Sequence, residues 1–409
     1  MYQRTLAGHL ERLTKNFSAI LITGPRQVGK STLLETFVAN KPQYHKVTLD
    51  NLEERAKAIN DPAWFLQEHR PPVLIDEVQY APNLFSYIKM YIDQHRDQKG
   101  LFLLTGSQKF HLMKNLQETL AGRVAILNML GLSRREITGR YLEPPFLPTD
   151  EYIANIKQRP ASSASILDIY AEIFNGSFPA LINQNGEDRD IYFSSYIATY
   201  IDRDVSSHYK IRDAITFNNF VKAAAARTGQ LLNLADIARD VAIDAKTAKL
   251  WLSVLEASGL VYLLHPYFNN ITSRVIKTPK LYFLDTGLCA YLTGWDSPKS
   301  LMSGALSGAI LETYVVTEIL KSYWHNAREP GLYFYRDKDA REVDLVLEAN
   351  NTIYPVEIKK TLSPSPHLTR NLKVLHNLNK PMAKGVVLCL KPEVSLIDRE
   401  NVALPIASL

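Results

Sequence analysis

Along the first 140 or so residues, short unbroken apolar runs alternate with stretches whose apolar positions recur every three or four residues. A run that is apolar throughout suits a strand covered on both faces, whereas the longer period marks a helix with one buried side. The pattern predicts strands at 19–23, 46–49, 73–75, 101–105 and 124–129 with helices between them, and therefore a parallel α/β sheet. Proline clusters at "LEPPFLP" (142–148) and "RPASSAS" (159–165) end that unit near residue 140. A helical connector follows to about 215. Residues 217–268 then read as three helices and a strand, and a last α/β piece begins near 301. The predicted organisation is 1–140, 141–215, 216–300 and 301–409.

A chain of 409 residues exceeds one compact core, which agrees with several domains. Its 46% hydrophobic and 22% charged content is that of an ordinary folded protein. A net charge of +5 with a pI near 8.9 permits nucleic-acid binding without demonstrating it. Cys289 and Cys389 lie in apolar surroundings and read as buried thiols in a reducing compartment. No apolar run is long enough to span a bilayer, and "MYQRTLAGHLERL" has the rhythm of an amphipathic helix. The expectation is a cytoplasmic protein without a membrane partner. The ten histidines show no H-x-x-H or Cys/His grouping, which argues against zinc.

The first strand runs into "ILITGPRQVGKSTLL", where Gly24-Pro25-Arg26-Gln27-Val28-Gly29-Lys30-Ser31-Thr32 fits the G-x-x-x-x-G-K-[ST] pattern. Its glycines let backbone N–H groups turn inward around phosphate, and a helix N-terminus adds its positive end. Lys30 is placed for the β- and γ-phosphates of ATP and the Ser31 hydroxyl for Mg²⁺. In "PPVLIDEVQ", a buried strand ends in Asp76, a second support for Mg²⁺, and Glu77, which can polarise the attacking water. "LFLLTGSQ" offers Thr105 or Ser107 to the γ-phosphate or that water, an ordinary strand-end cap being the alternative. "LAGRVAIL" places Arg123 before the fifth strand, either as a phosphate contact in its own or a neighbouring subunit or as a surface ion pair.

Near the other end, "YFYRDKDAREVDLVLE" and "TIYPVEIKKT" read as neighbouring strands carrying Asp344, Glu357 and Lys359. Glu357 and Lys359 are two apart and share a face, with Lys360 on the opposite one. The upstream helix "SGAILETYVVTEIL" carries Glu312 and, as a second choice, Glu318. This set resembles the PD-(D/E)xK nuclease core. Asp344 and Glu357 are then metal ligands, Glu312 an accessory ligand and Lys359 the catalytic cation. A salt-bridge ladder, or a binding module that does not cleave, would use the same residues.

Between the two ends, "LNLADIARDVAIDAKTAKLWLSVLEASGLVYLL" has helix-turn-helix spacing, as in a winged helix. Asp244 caps the second helix, which presents Lys246, Thr247 and Lys249 outward for DNA or, equally, for a protein or lid contact. "YIDRDV" places Arg203 in an ion-pair network, and Asp285 in "FLDTGLCAYL" reads as a helix cap.

"TGPRQVGKSTLL", "LIDEVQYAP", "LTGSQ" and "LAGRV", followed by "YIDRDV", "KLYFLDTGL" and "GAILETYVVTEI", together resemble the prokaryotic AAA+-type ATPases with AAA domain 14 and C-terminal domain of unknown function 4143. The resemblance implies an AAA+-like core in which Lys30, Ser31, Asp76 and Glu77 hold the nucleotide positions. It also implies a homo-oligomer such as a hexameric ring, with Arg123 acting in trans. "GLSRREI" departs from the family pattern and leaves Arg134 and Arg135 without a role. The function expected is a Mg²⁺-dependent ATPase that remodels DNA or positions a nuclease. The competing expectation is a nucleotide-operated switch that binds a protein and carries a silent C-terminal domain.

Overall fold

The computed structural model describes residues 2–107, 120–182, 188–200, 213–268 and 277–409. Strands β1 (Ala19–Thr23), β2 (His45–Thr48), β3 (Val73–Asp76), β4 (Phe102–Gly106) and β5 (Val124–Asn128) form one parallel sheet in the order β2-β3-β4-β1-β5. The three central strands are buried along their whole length. Alternate residues feed two apolar clusters, Ile20 and Ile22 on one face and Ala19 and Leu21 on the other. The expected strands are all present, with ends shifted by at most one residue.

The middle of the chain contains helices Ala214–Ala225, Leu234–Asp240 and Ala245–Ala257. Strands β6 (Gln230–Leu231), β7 (Val261–Leu264) and β8 (Lys280–Phe283) make an antiparallel sheet in the order β6-β8-β7. Asp244 accepts the N–H groups of Lys246 and Thr247, and Asp285 accepts that of Leu288, as expected of helix caps.

The C-terminal piece opens with the helix Ser307–Trp324, buried on nearly every side, as its almost continuous apolar sequence requires. Then come β9 (Leu332–Arg336), β10 (Glu342–Ala349) and β11 (Thr352–Lys359), paired antiparallel. The 3₁₀ segment Pro366–Leu378 crosses to β12 (Gly385–Cys389), parallel to β11. β13 (Ser395–Leu396) and β14 (Asn401–Pro405) complete the order β13-β14-β12-β11-β10-β9.

One of the apolar clusters is shared between these pieces. It runs from Leu6 through Ile20, Tyr170, Leu255 and Ile310 to Leu404. Both cysteines are buried and free. Among the described residues no helix is long and apolar enough to cross a membrane. Arg203 lies outside the described residues.

Candidate functional site

The phosphate loop leaves β1 at its carboxyl end and enters the helix Lys30–Val38 through Gly29, whose φ of 94° suits glycine. Gly24 is required by space as well. A Cβ there would lie 1.9 Å from the Met129 carbonyl oxygen on the neighbouring strand end. No side chain caps the helix, so its first-turn N–H groups stay available to an anion. Lys30 Nζ folds back to donate to the carbonyls of Gly24 (3.0 Å) and Pro25 (2.7 Å). Burial lowers its pKa to about 8 against the pull of Glu77 and Asp76. A phosphate arriving here would offer a direct anionic partner to a cation whose hydrogen bonds now go to loop carbonyls. Arg26 reaches Tyr80 Oη at 3.0 Å, Gln27 is exposed, Val28 is buried and Thr32 lies exposed on the helix.

Asp76 is oriented by hydroxyls from three elements. Ser31 donates to its Oδ1 at 2.6 Å, Thr105 to the same oxygen, and Thr48 to Oδ2 at 3.4 Å. Ser31 and Asp76 thus form an adjacent pair of oxygen donors suited to a hard cation. Glu77 holds a left-handed backbone with φ 56°, a conformation that non-glycine residues adopt at some energetic cost. Its N–H donates to Thr105 Oγ1 at 3.1 Å. Its carboxylate accepts from Gln79 Nε2 and from Ser107 Oγ at 3.4 Å. Ser107 therefore orients the glutamate, and Thr105 serves Asp76. Thr48 and Gln79 were not legible beforehand: nothing in their local spacing points inward, and only the β2–β3 pairing and the turn after β3 bring them here.

Arg123 does not join this site. It precedes β5 at the edge of the sheet opposite the loop, and its guanidinium pairs with Asp93 at 2.8 Å. The length of β5, about 13 Å, separates it from the phosphates of its own subunit.

The second constellation forms on β10 and β11. The register Leu345↔Val356 sets Asp344 beside Glu357, next to an irregularity in the β9–β10 pairing that re-aims the strand. Asp344 Oδ2 accepts from the Ile358 N–H (2.8 Å) and Lys359 Nζ (2.9 Å), while Lys359 lies 2.6 Å from Glu357 Oε2. Burial, then the Asp344 carboxylate, pushes Glu357 upward. Burial would also raise Asp344, but Lys359 and Lys280 pull it below its usual value. Glu357 Oε1 is buried with no hydrogen-bond partner, an orphaned oxygen that a cation would satisfy. Lys360 is exposed, as expected.

Glu312 is engaged by other side chains in this fold. It is held by Lys280 Nζ at 2.9 Å and Tyr282 Oη at 2.6 Å, and Lys280 also pairs with Glu342 at 2.6 Å. The carboxylate expected as an accessory ligand is thus already paired with a buried lysine from β8. Glu318 is further removed, pairing with Lys321 (2.7 Å) and the Arg134 N–H (2.8 Å). Among the described residues, the three metal-capable side chains that do converge are Glu54, Glu68 and His69. Lys57 already sits 3.0 Å from both glutamates. On the middle domain, Lys246 and Lys249 are exposed at the helix start. Thr247 donates its hydroxyl to Asp244 at 2.6 Å and is committed to the cap.

Residues 16–138 match the family model described as AAA domain, and residues 307–409 match Domain of unknown function (DUF4143). The chain carries an AAA-type ATPase domain followed by a C-terminal DUF4143 domain. Between them, residues 167–299 of the ATPase match Domain of unknown function (DUF8612). It is similar to two uncharacterized mycobacterial proteins, Rv2008c of Mycobacterium tuberculosis and Mb2031c of Mycobacterium bovis. Each is 28% identical over 89% of this chain and 75% of its own length. Among solved structures, the Walker-type ATPase PABY2304 of Pyrococcus abyssi is 16% identical. That match covers 71% of this chain and 96% of the other, with a TM-score of 0.41.

Proposed function

We propose that the ATPase acts on DNA, coupling ATP hydrolysis at the phosphate loop to the positioning of the C-terminal carboxylate–lysine centre. The observation that carries this reading is the convergence of Asp344, Glu357 and Lys359 on adjacent strands. It is supported by the chain order of that domain: a helix, three antiparallel strands, a crossing segment and a parallel strand. Mg²⁺ would supply charge neutralisation at phosphate oxygens in both sites, with Ser31 and Asp76 at the first and Asp344 and Glu357 at the second. Lys30 would hold the β- and γ-phosphates, and Glu77, oriented by Gln79 and Ser107, would accept a proton from the attacking water. Lys246 and Lys249 offer a small phosphate-contact surface.

One observation favours the second reading, a protein-directed switch. Lys359 is bonded to both Asp344 and Glu357 and Lys280 to Glu312, so each carboxylate of the C-terminal centre already has a cationic partner. ATPase rates measured with duplex, single-stranded and four-way-junction DNA, with cleavage read in the same tubes, separate the two. Stimulation by one DNA form, and products lost in Asp344→Ala, support the DNA reading. An unchanged rate with intact DNA at low salt supports the switch.

Arg123 serves catalysis in this proposal only across a subunit boundary. Arg123→Ala should then lower hydrolysis while ATP affinity holds, and activity should return when it is mixed with a Lys30→Ala subunit.

A further inference from the structure

We propose that the 3₁₀ segment Pro366–Leu378 is a nucleic-acid contact surface, with His367, Arg370, Lys373 and His376 laid along the sugar-phosphate backbone of a DNA duplex. The inference rests on the DNA reading of this ATPase and adds where the C-terminal domain grips its substrate.

The row of basic residues follows from a period of three. A 3₁₀ helix turns once every three residues, so side chains at i and i+3 eclipse and stack in straight rows. Runs beyond three or four residues are uncommon, yet this one has 13. Its sequence, PHLTRNLKVLHNL, supplies the reason. Thr369, Leu372, Leu375 and Leu378 fall in one row and are buried, on the side that packs against β10, β11 and β12. His367, Arg370, Lys373 and His376 fall in the next row and are exposed. Asn371 and Asn377 stand exposed in the third. Successive basic residues are then about 6 Å apart along the axis, and the row is about 18 Å long. The step from one phosphate to the next along a DNA strand is of the same order.

This row is open to an anion. Among the described residues, none of its four basic side chains holds a hydrogen bond or an ion pair. Asp398 feels the charge of Lys373, but its carboxylate accepts from the Asn401 side chain and from the Glu400 N–H, both at 2.8 Å. Beside the row, a cavity of about 370 Å³ is lined by Lys373, Lys380, Lys384 and Arg399 against Glu400. Lys380 and Lys384 are paired with Glu348 and Asp150, whereas Arg399 is exposed and extends the positive surface. A chain with a net charge of only +5 thus places several unpaired basic groups together, and clustering is what gives charge its effect on a polyanion.

The segment also shares a face with the carboxylate centre. On β11, Ile353 packs under the 3₁₀ segment, and Glu357 and Lys359 follow at even spacing, so one side of the sheet carries all three. The segment begins shortly after Lys359, and the chain beyond it returns to Ile353, whose carbonyl accepts the Ala383 N–H at 2.9 Å. The basic row therefore runs back along β11 from the end that holds Asp344, Glu357 and Lys359. A duplex held on it leads one strand toward that centre. Evenly spaced cations interleaved with amides suit a polymer of evenly spaced phosphates better than an acidic peptide of irregular charge.

The test follows binding of a fluorescently labelled DNA duplex to the full chain by anisotropy across a salt series. Wild type should bind at low salt. The double variant Arg370→Gln with Lys373→Gln should bind about tenfold more weakly, and its slope of log affinity against log salt should be shallower by about 2, since each phosphate contact contributes about 0.9. Its thermal midpoint and its ATP hydrolysis without DNA should match wild type, which separates lost contacts from lost folding. Wild-type affinity and slope in this variant would overturn the inference and leave the DNA reading intact. Absence of duplex binding by wild type even at low salt would instead overturn the DNA reading itself. Polyglutamate bound as tightly as the duplex, and lost equally in the variant, would overturn the assignment of the row to nucleic acid.

Discussion

Glu77 shows how much a single side chain depends on its neighbours. Its acidic character and place after a buried strand were readable from "LIDEVQ", but its orientation comes from Gln79, Ser107 and Thr105, contributed by two strand ends. Glu77→Gln keeps the shape and removes the base. It should lower ATP turnover by about a hundredfold or more while ATP affinity changes only a few-fold, measured by phosphate release and by equilibrium binding. A turnover close to wild type would remove Glu77 from catalysis. The loop itself was legible because its shape demands glycine: Gly24 faces a carbonyl too close for any Cβ, and Gly29 has a left-handed backbone. Lys280 was not legible, because its partners Glu312 and Glu342 lie on elements remote in sequence from β8.

The element that most exceeds its sequence pattern is the four-residue helix Arg134–Ile137. "GLSRREI" reads as a basic turn, and its arginines had no assigned role. In the fold Ser133 and Glu136 make a reciprocal capping box. The Arg134 side chain reaches Glu172 and the Ala407 carbonyl, and Arg135 reaches Tyr152 at 2.9 Å. This short helix locks the ATPase domain to the long C-terminal helix through Glu318, which accepts the Arg134 N–H and pairs with buried Lys321. Glu318→Ala leaves Lys321 buried without its carboxylate and the Arg134 N–H unsatisfied. It should cost about 3–5 kcal/mol, read as a fall in the urea midpoint. A loss under about 1 kcal/mol would mean that the lock contributes little. A replacement of both Glu318 and Lys321 by apolar residues should recover much of the loss.

Across the whole molecule, the shared core draws ionisable groups into a low-dielectric junction, where pH acts on folding. His325 at the end of the long helix is fully buried beside Glu136, which is also met by Arg4 (3.2 Å), the Thr5 N–H (2.9 Å) and the Ser133 N–H (3.0 Å). The Leu130 N–H donates to His325 Nε2 at 3.2 Å, so the lone pair is there and Nδ1 carries the proton facing Glu136. Burial holds the His325 pKa below its ordinary value. The unfolded chain therefore binds the proton first as pH falls below about 6.5, and stability declines from that point toward the folded pKa. Glu136 is held low in the fold, where His325, Arg4 and the Ser133 N–H outweigh the effect of burial. Its contribution is complete above about pH 4.3 and is lost as pH falls through its folded value. Thermal midpoints should drop between pH 7 and 5.5, and His325→Gln should flatten that slope. An unchanged slope in the variant would place the titration elsewhere.

The sequence by itself determined the local chemistry of this protein. The G-x-x-x-x-G-K-S loop, the Asp76-Glu77 strand end, the shared face of Glu357 and Lys359 and the five parallel strands all follow from residue type at short spacing. Backbone geometry acts over a few residues, and these features are complete within that reach. Tertiary structure decided which of those groups meet. It paired Arg123 with Asp93 away from its own loop, gave Glu312 to Lys280, and ran one apolar cluster through residues of all parts of the chain. Such outcomes depend on which buried charges and surfaces must find partners across the folded chain, and that choice is made only when distant segments leave water together.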